Sequence, residues 1–132
     1  MTSLIESARA ARVNAYAPYS GYTVGAAVED CDGGLYGGCN IENRIYSATV
    51  CAERAAIIHM VLNGGKRIRR IAVATRDGGT PCGVCLQTIL EFAADPQELE
   101  VIVLAENSEP RVYTLAQLMP FGSSSDEVHR TE

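Results

Sequence analysis

The chain has no tryptophan, only two histidines, and no apolar run near the roughly 18 residues that a membrane-spanning helix needs. No membrane partner is therefore expected. Its opening, Met1-Thr2-Ser3-Leu4-Ile5-Glu6, lacks a basic stretch leading into a long apolar one. No signal peptide is expected, and the cytoplasm is the expected compartment. Positive charge is also scarce, with 11 Lys and Arg against 16 Asp and Glu and a net charge of −5. Gripping a nucleic-acid backbone takes clustered cations, because each phosphate must be neutralised. The basic cluster Lys66, Arg67, Arg69 and Arg70 follows Gly64-Gly65 and reads as the solvated exit of a helix. Nucleic acid is not an expected partner; a small soluble substrate is. Internal repeats are absent, and low complexity is confined to Ser123-Ser124-Ser125. At 132 residues the chain can build one core but not two. Residues 1–121 are assigned to a single domain and 122–132 to a polar C-terminal tail.

Periodicity places a helix over 3–15, ended by Pro18, and strands over 23–28 and 35–41 joined at Asp32-Gly33-Gly34. A second helix over 50–62 stops at Asn63-Gly64-Gly65. A strand over 70–75, closed by Asp77-Gly78-Gly79, leads to a third helix from Pro81 to Phe92. Strands over 100–105 and 111–114 follow, and then a short helix over 115–119 capped by Thr114. Strands that alternate with helices imply a mixed sheet covered on both faces. The expected fold is α/β, a three-layer α/β/α sandwich around a five-stranded mixed sheet.

Five cysteines, an odd number, in a reducing compartment argue against a disulfide framework. Two segments stand out: Cys51-Ala52-Glu53-Arg54 and Pro81-Cys82-Gly83-Val84-Cys85. Each sits at an expected helix start, where free N–H groups and a partial positive charge favour thiolates. Two such starts meeting in space can hold Cys51, Cys82 and Cys85 around one zinc ion. Three protein ligands leave the fourth tetrahedral position open, as a catalytic zinc requires. Neither His59 nor His129 has ligand-like spacing to these cysteines. Glu53, two residues after Cys51, can face the open position and move protons there. The pattern matches the zinc nucleobase deaminases, with Cys-x-Glu followed by Pro-Cys-x-x-Cys. Three thiolates leave zinc formally negative and weaken it as a Lewis acid, so donors to sulfur matter. Arg54 is the candidate donor; the alternative is a solvent-facing helix residue.

Further segments extend the resemblance to nearly the whole chain. Ala17-Pro18-Tyr19-Ser20, Val24-Gly25-Ala26-Ala27 and Gly38-Cys39-Asn40-Ile41-Glu42-Asn43, taken with the two cysteine segments, resemble the short, single-domain cytidine deaminase family. The resemblance implies an α/β/α fold and a homotetramer (a homodimer is the smaller alternative) with one zinc ion per subunit. It implies that Asn40 and Glu42 hold the ribose 3′-hydroxyl and that backbone groups near Ala52 meet the pyrimidine. Tyr22 stands where the family commonly has a Phe lining the base pocket. Glu53 becomes the proton shuttle to N3 and then to the leaving amine. Without the resemblance, Asn40 and Glu42 read as turn residues after a strand.

Three departures bear on the substrate. Leu86-Gln87 follows the last cysteine, where the family usually has Arg-Gln. Arg44 brings a cation close to the sugar segment, the alternative being a solvated loop arginine. Phe121 follows Pro120 at once, with Ser123 where the family often has a Phe; Phe121 either substitutes for it or packs in the core. The same chemistry on a modified cytidine, a free base or a blasticidin S-like compound is the alternative that these departures keep open. Two readings of other classes also stand: a redox protein built on Cys82-Gly83-Val84-Cys85, and a structural zinc module with Cys39 as fourth ligand. The missing tryptophan weighs against the first, and the second leaves Glu53 without a purpose.

Overall fold

The computed structural model describes residues 1–122; of the expected tail, everything after Gly122, with Ser123 and His129, lies outside them. The elements in chain order are α1 (Thr2–Arg12), β1 (Gly25–Asp30), β2 (Leu35–Cys39), α2 (Ala52–Leu62), β3 (Ile68–Ala74), α3 (Gly83–Phe92), β4 (Glu100–Leu104), β5 (Arg111–Thr114) and α4 (Leu115–Leu118). A single 3-10 turn, Tyr46–Ala48, precedes α2. The five strands form one sheet in the order β2-β1-β3-β4-β5. β3 and β4 run parallel, and the other neighbouring pairs are antiparallel. The mixed sheet expected from the sequence is therefore present.

Strand alternation divides the core in two. Ala26, Val28, Ile71, Val73, Val101 and Val103 point to the face covered by α2 and α3. Ala27, Ala72, Ala74, Ile102 and Leu104 point to the other face, where Leu4 and Ala8 of α1 pack. Three alanines on that second face let α1 lie close. At Gly25 a Cβ would collide with the backbone of α1 around Ala8 and Arg12.

Gly38 has the same constraint against α2, and this one positions the site. A Cβ there would run into the Ala56 amide nitrogen and stand 2.7 Å from the Ala52 carbonyl oxygen. Gly38→Ala is thus expected to cost about 3 kcal/mol, since packed backbone cannot simply move aside. The check is the denaturant midpoint, read beside the slope to confirm that the transition remains two-state.

Several boundaries depart from the sequence pattern: β1 runs over Gly25–Asp30 rather than 23–28, β2 stops at Cys39, β3 begins at Ile68 and α3 at Gly83. The first helix ends at Arg12, well before Pro18. The chain must leave helical geometry there because Tyr16 pairs as a strand-like bridge, with its N–H on the Asn40 carbonyl at 2.9 Å and its carbonyl accepting from Glu42 N at 2.8 Å. The second helix starts at Ala52, with Cys51 as its extended N-cap, rather than at residue 50. Thr114 does cap the last helix, in a reciprocal capping box with Gln117. The basic cluster sits where β3 begins, and Arg70 pairs with Glu29 across the β1–β3 ladder at 2.7 Å.

Candidate active site

Helices α2 and α3 begin at the same end of the sheet, and both begin with a cysteine. Cys51 is the N-cap of α2 and Cys82 the N-cap of α3, each with extended backbone. Cys85 lies one turn into α3 and is buried. The Sγ atoms of Cys51, Cys82 and Cys85 all lie within 4.8 Å of one another. Zinc–sulfur bonds of about 2.3 Å in a tetrahedral site separate sulfurs by roughly 3.8 Å, so a small closure suits this donor set to zinc. Three soft thiolate donors, with no fourth side chain in the group among the described residues, are what an open zinc site requires. Cys39 is not in the group; it lines a separate groove beside α1. The closed, four-cysteine structural reading has no support in this geometry.

The sulfurs differ in their surroundings. Burial pushes the Cys82 thiol up, but N–H donors from Cys85 and Val84 together with the Cys85 and Cys51 thiols outweigh it and leave the thiol below its ordinary range. Cys85 is pushed well up by burial, and the Glu53 carboxylate and Cys51 add to this. A cation among the sulfurs is what reverses that balance.

Arg54 reaches one of the sulfurs. Its Nη2 donates to the Thr49 carbonyl at 3.0 Å and to Cys51 Sγ at 3.7 Å. The hydrogen bond to Cys51 raises the guanidinium pKa further, against the opposing effect of burial. Its Nε is buried with no hydrogen-bond partner among the described residues. Arg54 is half-buried against the sulfurs rather than solvent-facing. Arg54→Ala is expected to weaken zinc retention by roughly 10–100-fold while the fold persists. The rate of zinc loss to a chromogenic chelator checks this.

Beside the sulfurs opens a cavity of about 330 Å³, near the lower end for small-molecule sites. Cys51, Cys82, Ala52 and Glu53 line it, together with Tyr22, Asn40 and Glu42. Of the predicted site residues only Cys85 and Arg54 do not face this space; they stand behind Cys51. Glu53 is 5% exposed, in the first turn of α2. Burial raises its pKa, and its own backbone N–H and Arg54 counter this only in part.

Asn40 is buried, and both ends of its amide already hold backbone. Oδ1 accepts from Val24 N at 2.9 Å and Nδ2 donates to the Tyr22 carbonyl at 2.8 Å. One amide hydrogen and one oxygen lone pair remain for a ligand. Glu42 accepts from Tyr19 N at 2.9 Å and Ser20 N at 3.1 Å, and also from the Ser20 hydroxyl. The Ser20 hydroxyl does most to hold the Glu42 carboxyl below its usual range.

The structure adds residues that the sequence did not single out. Thr49, Thr75, Gly79 and Thr80 line the cavity, and Asp77 accepts from the Tyr22 hydroxyl at 2.6 Å. Ser20 lay inside a quoted motif without an assigned purpose. Asp77 read only as part of a turn, since nothing local indicates a partner 55 positions away. Among the departures, Leu86 is buried in the core on the α2–α3 side, and Phe121 is 97% exposed rather than packed in the core. Arg44 lines a smaller cavity of about 180 Å³ that shares Ser20, Glu42 and Thr49 with the main one.

Comparisons with known proteins agree with this geometry. Residues 2–114 match the family model for the cytidine and deoxycytidylate deaminase zinc-binding region. The chain is similar to the cytidine deaminase of Sporosarcina psychrophila, with 39% identity over 127 residues, 95% of this chain and 92% of that one. It is similar to the cytidine deaminase of Mycobacterium tuberculosis, with 34% identity over 94% of this chain and 90% of that one. Among solved structures, the cytidine deaminase of Burkholderia pseudomallei superposes with a TM-score of 0.85 at 38% identity, covering 92% of this chain and 98% of that one.

Proposed function

The chain belongs to the cytidine and deoxycytidylate deaminase family, and we propose that it hydrolyses the exocyclic amine of a free cytidine-type nucleoside, turning cytidine or deoxycytidine into uridine or deoxyuridine and ammonia. One observation carries this reading. A single cavity holds buried Glu53 beside the sulfur cluster, and Tyr22, Asn40 and Glu42 along its walls. No helix among the described residues is long and apolar enough to cross a membrane.

Cys51, Cys82 and Cys85 would hold one zinc ion per subunit, which would supply Lewis acidity to bring the pKa of water toward neutrality. Glu53 does the proton work. Its carboxylate takes a proton from the attacking water and delivers it to N3, while the water oxygen bonds to C4. It then carries the second water proton to the exocyclic nitrogen as the C4–N bond breaks. Ammonia leaves, and N3–H and C4=O remain on the product.

The ring geometry orders the rest of the site. C4 lies across the pyrimidine from N1, so a base with C4 at the sulfurs points its sugar away from them. Asn40 and Glu42 then meet the ribose 3′-hydroxyl, with the free amide capacity and the carboxylate lone pairs described above. Backbone at Ala52 meets the base, and the Tyr22 ring walls it. Arg44 favours a second reading, the same chemistry on a modified cytidine, a free base or a blasticidin S-like compound, because its cavity adjoins the sugar end. Ammonia release from cytidine, deoxycytidine, 5-methylcytidine, cytosine, adenosine, guanine and blasticidin S decides between the two. Turnover of cytidine and deoxycytidine supports the first reading, and turnover confined to another compound moves the substrate.

The working form is a homotetramer. Ile58, Val61 and Leu62 are exposed on α2 around a groove of about 460 Å³ that Ile57 and Phe92 also line, and Val84 is exposed on α3. Apolar area of this kind suits burial against further copies of the chain. Sedimentation at micromolar concentration reads the copy number. The reducing cytoplasm keeps the thiolates available to zinc, and the reaction serves salvage of pyrimidine nucleosides there. Residues 1–121 form the catalytic unit, with the tail outside it.

A further inference from the structure

The Tyr22 hydroxyl is committed before any ligand arrives. It donates to Asp77 Oδ1 at 2.6 Å, and the Thr75 hydroxyl reaches the same oxygen at 3.3 Å. Thr75 is buried, and its hydroxyl oxygen accepts from Gly78 N at 2.7 Å and Gly79 N at 3.2 Å, fixing the turn that carries Asp77. On its other side, Tyr22 N donates to Ser20 Oγ at 2.9 Å, and the Ser20 hydroxyl reaches the Glu42 carboxylate. The Arg76 guanidinium lies over the Tyr22 ring, 5.3 Å from its centre. A continuous run of hydrogen bonds thus links Glu42, Ser20, Tyr22, Asp77 and Thr75 around one cavity. It joins the approach to β1 with the turn after β3, and that turn runs on to Cys82.

We propose that Asp77 is a positioning residue for the substrate: through the Tyr22 hydroxyl it locks the aromatic ring across the cavity, so that the ring offers the pyrimidine carbon surface and no hydrogen bond. The inference rests on the nucleoside reading above. A phenol released from Asp77 regains rotational freedom and competes for polar atoms of the base or for water. On the nucleoside reading Tyr22 meets the carbon surface of the base and takes no part in proton transfer, so the cost falls on substrate and transition state alike. A loss of that kind raises KM and leaves kcat in place. The tie also holds through neutral pH. Burial first, and the hydrogen bond to Asp77 second, keep the phenol pKa above its ordinary value. The same hydrogen bond keeps the Asp77 carboxyl below its own.

The test is a double-mutant cycle of Tyr22→Phe and Asp77→Ala, with steady-state kinetics on cytidine and zinc content measured for each variant. Each single change is expected to raise KM about five- to ten-fold, the size of one hydrogen bond, with kcat within about two-fold of wild type. The double variant is expected to be no worse than the weaker single one, because both changes remove the same bond. Additive losses, an unchanged KM, or a fall in kcat at constant KM would each overturn the proposal. A readout independent of turnover is the Tyr22 ring titration followed by carbon NMR. Its midpoint is expected to fall in Asp77→Ala, and an unmoved midpoint means that the tie does not exist in solution. Wild-type protein inert toward cytidine, with the midpoint still shifting, counts against the nucleoside reading and not against the tie.

Discussion

Glu53→Gln is expected to retain one zinc ion per chain and to lose roughly 10³–10⁴-fold in kcat. Glutamine keeps the length and shape of the side chain, so the first turn of α2 and the cavity wall are preserved. What disappears is the ability to take a proton from water and return it. The position tolerates no easy substitute: Glu53 is 5% exposed and two residues from Cys51, while the other cavity carboxylate, Glu42, is already engaged by Ser20 and Tyr19. Zinc content and single-turnover kinetics together check this. Activity within ten-fold of wild type, with zinc bound, would assign proton transfer to another group.

Cys85→Ala is expected to abolish zinc binding and turnover together. Two sulfurs at the two helix starts, Cys51 and Cys82, do not make a zinc site of useful affinity, and Cys85 is the buried member that closes the triangle. Metal bound only by the folded chain adds to its stability, so the variant should also melt at a lower temperature than zinc-loaded wild type. Stripping wild-type protein with a chelator should reproduce the lower melting point. Cys39→Ala is the contrasting variant, since Cys39 lies in a separate groove and should keep the metal in place. Zinc retained by Cys85→Ala but lost from Cys39→Ala would reassign the third ligand.

Much of this site was legible because its chemistry is compressed into short segments. Cys51 and Glu53 share the opening of one helix, Cys82 and Cys85 the opening of another, so local spacing was enough to indicate three thiolates and a carboxylate. The two-sided sheet was likewise legible from strands that alternate with helices along the chain; in the fold, Ile71 and Val73 face one layer while Ala72 and Ala74 face the other. What escaped depends on contacts between distant segments. The early end of α1 follows from the bridge of Tyr16 to the segment after β2, and no residue between Arg12 and Pro18 announces that bridge. The Tyr22–Asp77 bond joins residues 55 apart, and it ties an ordinary turn aspartate to a side chain of the cavity wall. Leu86 illustrates the reverse case: it departs from the family pattern yet lies in the core, away from the cavity walls.

The most direct measurement of the central claim follows cytidine and zinc-loaded protein in water enriched in oxygen-18, with the product read by mass spectrometry. The account predicts uridine carrying one heavy oxygen at C4 and one ammonia per uridine formed, with both absent from Glu53→Gln. Cytidine recovered unchanged from protein that holds one zinc per chain would contradict it, as would uridine whose new oxygen did not come from water.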